Sequence, residues 1–140
     1  MKAEELMIDD WVDFYHPYET EKKIVTRHRV TENFECGLVG ISNHPNPVHA
    51  DHIEPIKITP EILEKNGFAI KKKWAQMGNF GDSPLIMWHF EDNPIMKDIK
   101  HELEIHQNDT GKVHVRIPCE FVHELQHAFR LCRINKDIVL

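Results

Sequence analysis

Two segments near the C-terminus constrain the fold of this chain more than any other feature. In residues 101–107 Leu103 and Ile105 alternate with Glu102, Glu104 and His106. In residues 112–118 Val113, Val115 and Ile117 alternate with Lys112, His114 and Arg116, and an Asn-Asp-Thr-Gly turn joins the two runs. A period of two on both sides of a turn predicts an antiparallel hairpin with one buried face and one face in water. The buried face needs a cover. Pro118 ends the second strand, and residues 119–132 read as a helix with Val122, Leu125, Phe129 and Cys132 at helical spacing and Ala128 beside them. His123, Gln126, His127, Arg130 and Arg133 then fall on its water-facing side. LIMWHFED (residues 85–92) predicts one more strand of the same meander.

The first half reads as a second sheet. Residues 11–15 alternate Trp11, Asp13 and Tyr15 with Val12 and Phe14 after an acidic Asp-Asp turn, as the first strand of a small SH3-like barrel would. Two strands follow at 23–30 and 35–41 around a Thr-Glu-Asn turn, then a loop with two prolines at 42–52 and a strand at 52–58. Thr59 is an N-cap, Pro60 takes the first helical position and Gly67 the left-handed closing position of a two-turn helix. Phe68, Ile70 and Trp74 predict one face of a further strand, and residues 75–84 a flexible loop with two glycines. The expected fold is therefore α+β in a single domain of 140 residues. A small SH3-like antiparallel barrel or sheet occupies 1–58, and a short helix, an antiparallel meander and a C-terminal covering helix occupy 59–140.

Composition removes functions more readily than it assigns one. Lys and Arg total 17 against 23 Asp and Glu, a net charge of −6, so no general positive field exists to hold a nucleic-acid backbone. No apolar run approaches the ~20 residues of a membrane span, and acids stand where a signal peptide would have its apolar stretch, so a cytoplasmic location is expected. Cys36, Cys119 and Cys132 show no C-x-x-C spacing and are expected to be small buried hydrophobes. Ser42 and Ser83 are the only serines, both in loops, and no nucleophile, P-loop or dinucleotide motif is present.

His123-Glu124-Leu125-Gln126-His127 spells the H-E-x-x-H motif of zinc metalloproteases. On a helix His123 and His127 share a face and would chelate one ion, with Glu124 as the general base. The mechanism needs a third ligand. Arg130 and Arg133 stand where a metzincin would supply one, and Asp137 is the only acid downstream. Independent placement of residues gives roughly one chance match in twelve chains of this composition. A packing helix is the simpler reading. His44, His49, Asp51 and His52 share a polar loop with the spacing of no standard metal site. Lys71, Lys73 and Trp74, beside the glycine loop at Asn79, suit a phosphate-bearing ligand: lysines for the anion, the indole for a base, loop N–H groups for oxygens. The opposing reading is a solvated strand face with Trp74 in the core. Trp11, Phe14, Tyr15 and Tyr18 read as barrel core and rim.

MKAEELMIDDWV at the start, IEPIKITPEILEKNGF in the middle and FVHELQHAFRLCRI at the end cover about a third of the chain. In these blocks the chain resembles a family of small uncharacterised proteins of gut bacteria and their phages. Members of that family usually carry Gly where Asp9 or Asp10 stands. Their closing helix often reads V-H-Q-L-Q-N, which separates the positions of Glu124 and His127 from zinc chemistry. The family has no established activity, so the resemblance transfers no catalytic residue; it implies a phage or prophage accessory protein.

The expected function is non-enzymatic binding of a host protein or a small nucleotide-like ligand, for instance sequestration of a nucleotide immune signal in counter-defence, with no cofactor. The alternatives are a zinc-dependent metallohydrolase using His123, Glu124 and His127, and a small structural or assembly component that forms a homo-oligomer. An unperturbed imidazole titrates near pH 6.5, and with 11 histidines in the chain the net charge is expected to fall toward zero and reverse in mild acid. Light scattering across a pH series is expected to show a solubility minimum near the isoelectric point of 6.0.

Overall fold

Val12 and Phe14 point into a core and their neighbours do not, so Trp11–Tyr15 forms strand β1. The computed structural model describes residues 1–16, 25–34, 36–90, 101–107 and 113–140. These divide into two units, Met1–Ile56 and Lys57–Leu140, and the class is α+β.

In the first unit β1 pairs with β2 (Val25–Asn33) and with β5 (Ile53–Pro55). Strand β3 (Leu38–Ile41) continues the sheet from β2 to β4 (Val48–His49), giving the antiparallel order β4-β3-β2-β1-β5. A 3-10 turn at Ala50–His52 leads into β5. Leu6, Val12, Phe14, Val30, Val39, Ile41, Val48, Ala50 and Ile53 form the core. Asp9, at φ 71°, takes the left-handed conformation that favours glycine and that Asp tolerates better than most residues. The Asp10 carboxylate accepts the Met7 N–H at 2.7 Å and steadies the turn.

Two expectations for this unit need correction. Residues 31–33 are not a turn: β2 runs through Asn33, with a register shift between Val30 and Glu32. The Asn33 amide donates to the carbonyls of Ala3 and Leu6 at 2.6 and 3.1 Å, so it is engaged by the N-terminal segment, while Gly37 supplies the positive φ for the reversal. The loop at 42–52 contains a strand, because buried Val48 extends the sheet from β3. Residues 17–24, which include Tyr18, lie outside the described residues, as does Glu35.

The second unit opens with α1 (Pro60–Lys65), whose Ile62 N–H is accepted by the Thr59 hydroxyl at 3.3 Å. Gly67 closes it at φ 88°. A meander follows: β6 (Ala69–Ile70), β7 (Trp74–Met77), β8 (Leu85–His89), β9 (Glu102–Gln107) and β10 (Val113–Pro118), in the order β10-β9-β8-β7-β6. Helix α2 (Val122–Leu131) comes last. Ile86, Trp88, Leu103, Ile105, Leu125 and Phe129 are among the large buried side chains, and the Trp88 indole donates to the Cys119 carbonyl at 2.7 Å.

The strand expected to span Phe68 to Trp74 is a hairpin. Lys71 N–H bonds the Trp74 carbonyl, Ile70 is exposed, and the residues expected to form a flexible loop begin with β7. Buried Gln76 is satisfied within that strand region: its carbonyl accepts from the Trp74 indole and its amide donates to the Gly78 carbonyl, at 3.1 and 2.8 Å. On α2 the stripe Val122, Leu125, Ala128 and Phe129 is buried as expected, but so are His123 and Gln126. The Phe121 ring stacks on His123, so the helix is covered beyond its apolar stripe. Of the cysteines only Cys119 is buried; Cys36 is exposed.

Residues 134–140 are an irregular tail anchored on α1. The Asn66 amide donates to the carbonyls of Ile62 and Val139, both at 2.7 Å, and its oxygen accepts the Val139 N–H at 2.8 Å. Lys65 also reaches the Leu140 carbonyl, and Ile138 is buried. Asn66→Ala deletes three hydrogen bonds at a site 3% exposed. Urea unfolding is expected to show a loss of about 1–3 kcal/mol.

Candidate functional site

The pairing of β9 with its two neighbours gathers ionisable side chains on one face of the sheet. His106 lies opposite His114 and Glu104 opposite Arg116 on β10, while Glu102 lies opposite His89 on β8. Directly opposed residues project to the same side of a sheet, so Glu102, Glu104, His106, His114, Arg116 and His89 emerge together.

Glu104 is the centre of this group. Its Oε1 is 2.7 Å from His106 Nε2 and 3.1 Å from His114 Nε2. Its Oε2 is 3.1 Å from His89 Nε2 and 3.8 Å from Arg116 Nη2. The His106 and His114 rings stack with centroids 4.2 Å apart. Burial pushes the Glu104 carboxyl up, but hydrogen bonds from His106 and His89 and the charges of Arg116 and His106 outweigh it and hold the carboxyl below its ordinary value. The group is therefore an ionised carboxylate at neutral pH, ringed by imidazoles.

The ligand atoms of Glu104, His106 and His114 lie within 4.8 Å of one another. Zinc bonds to imidazole nitrogen and carboxylate oxygen are about 2.0–2.2 Å long, so three donors at this spacing can close on one ion with small side-chain movements. The Nε2 protons that now bind the carboxylate are the ones a metal would replace. Among the described residues this is the only such group of three His, Cys, Asp or Glu side chains.

The expectation of a uniformly wet face holds only toward β10, where His114 and Arg116 are exposed. Glu102 is 2% exposed and accepts from Arg116 Nε at 2.6 Å, and Leu85 and Met87, on the same face, are buried. Strand β8 is central, so its run Leu85 to Trp88 is buried on both sides. Sequence reading missed the site because Glu-x-His and a distant His match no motif. The alternation did hold a signal: only a register that pairs even with even positions keeps both apolar sets on one face, and that register sets polar residues of the two strands side by side.

The residues favoured from sequence lie elsewhere. Glu124 is at the start of α2, where its carboxylate accepts the N–H groups of Phe121 and Glu120 at 3.0 and 3.2 Å. This is the carboxylate half of a capping box, which gives Glu124 a role in the helix end. His123 and His127 do lie close, with ring centroids 5.5 Å apart, but no third donor joins them among the described residues. Lys71 and Lys73 lie in the turn between β6 and β7, whereas Asn79 follows the far end of β7, so the strand separates them. Trp74 stands opposite His89 on β8, on the face that carries Glu104. In the polar loop His44 packs on the Phe14 ring, while His49 accepts the Asp51 N–H and lies near His52.

Glu124→Ala is expected to cost about 1 kcal/mol of stability through loss of the helix-end bonds and to leave the metal content of the protein unchanged, as measured by thermal unfolding and elemental analysis of the same sample. Comparison with protein-family models, with curated proteins and with solved structures finds no match to this chain.

Proposed function

We propose that this protein is a non-enzymatic binding protein whose second unit holds one divalent transition-metal ion, zinc in the first instance, through Glu104, His106 and His114. The observation that carries the reading is the convergence of two imidazoles and a carboxylate to within 4.8 Å on adjacent strands. Two nitrogens and one oxygen form a donor set suited to zinc, and the same set accepts nickel or copper. His89, on the other carboxylate oxygen, orients Glu104 without joining the group of three.

The first unit is read as an SH3-like barrel. Its closing strand returns beside its first, and a 3-10 turn precedes that closing strand, as in such barrels. The resemblance to proteins of gut bacteria and their phages supports an accessory role in a phage or prophage, exerted in the host cytoplasm on a host protein or a small nucleotide-like ligand. Among the described residues no helix is long and apolar enough to cross a membrane.

The test is titration of chelator-stripped protein with zinc by calorimetry, backed by native mass spectrometry. One zinc per chain is expected. His114 is half-exposed, so His114→Ala should fold and lose about tenfold or more in affinity, while His127→Ala should bind as wild type. Unchanged zinc affinity in His114→Ala would exclude the site.

A further inference from the structure

A metal held by three protein groups keeps at least one coordination position for an outside ligand. Glu104, His106 and His114 are three such groups, and their exposed side is the β10 side, where the His114 side chain is 50% exposed and that of Arg116 44%. Whatever enters from solvent therefore meets the metal and Arg116 together.

Arg116 is built into place. Its Nε donates to Glu102, which is buried, and its Nη2 lies 3.8 Å from Glu104 Oε2. A guanidinium carries five N–H donors in a rigid plane. Among the described residues these two carboxylates account for one edge of it. The planar fork matches two oxygens of a phosphate or carboxylate, and anchoring by Glu102 lowers the ordering cost of binding. The charges agree: a divalent ion and Arg116 against Glu102 and Glu104 leave a net positive centre when the imidazoles are neutral.

Resting on the metal reading above, we infer that the centre binds a phosphate group, one oxygen taking the open metal position and another accepting from Arg116. Trp74 names the source of that phosphate as a further question. It shares the face with the centre and stands opposite His89, which stands opposite Glu102. Strands are about 4.8 Å apart and residues rise about 3.3 Å, which puts Trp74 roughly 12 Å from Glu104 along the sheet, within the reach of a nucleotide. An aromatic face at that distance stacks a base.

The experiment uses the full chain loaded with cobalt(II), whose visible absorption reports the coordination shell. Cobalt binding is read first, then inorganic phosphate and adenosine monophosphate are titrated separately into wild type, Arg116→Met and Trp74→Leu, with circular dichroism to verify folding. The expected result is a saturable spectral change with phosphate, weakened about tenfold or more in Arg116→Met when both proteins are saturated with cobalt. Tighter binding of the monophosphate, lost in Trp74→Leu, would identify a nucleotide as the source; equal binding of both probes would identify free phosphate, and either supports the inference. A cobalt spectrum that phosphate does not alter, or that Arg116→Met alters no differently, overturns the inference and leaves the metal site standing. Absence of a cobalt spectrum removes both.

Discussion

The even register between β9 and β10 governs the second unit. It sets His106 against His114 and Glu104 against Arg116, and by the same parity it sets Ile105 against Val115 and Leu103 against Ile117. A slip of one residue would turn Leu103 and Ile105, both fully buried, toward the polar face and break every contact around Glu104. The hydrophobic effect that holds the hairpin in register thus also assembles the charged cluster. Burying Leu or Ile side chains contributes about 1.5–3 kcal/mol each, more than an exposed ion pair, so packing decides the register and the polar group follows from it.

The polar face is graded from closed to open. Near β8 it carries Leu85 and Met87 and the buried Glu102, and near the β10 edge it carries exposed His114 and Arg116. A carboxylate between these two environments loses part of its hydration, and hydrogen bonds from His106 and His89 compensate, which keeps Glu104 charged below its ordinary pKa. Partial desolvation with an open side is a setting in which a metal or an anion competes effectively with water. The H-E-x-x-H segment has a different setting: Glu124 is engaged by backbone N–H groups and His123 is buried beside Phe121.

Much of the local structure was legible because short-range chemistry specifies it. Trp11–Tyr15 alternates, and it is β1; Thr59, Pro60 and Gly67 carry capping chemistry, and α1 lies between them. Three of the errors fall where a side chain answers to a distant partner. Asn33 looked like a turn residue and is instead bonded to the carbonyls of Ala3 and Leu6. Val48 looked like loop and is buried as part of β4. His123 and Gln126 looked wet on a helical wheel, and tertiary packing covers them.

The amino-acid sequence by itself determined the class of the fold, the ends of α1, and the alternation that set Glu104 and His106 on one face of β9, because these depend on period and on interactions within a few residues. It also set an acidic balance, with 17 basic residues against 23 acidic. Only the tertiary structure decided which charged residues meet. His89 reaches Glu104 across strands separated by a long stretch of sequence, and the burial that sets the carboxylate's charge state comes from strand order. Distances of a few ångströms between such residues are fixed by register and packing, and neither is a property of any short segment.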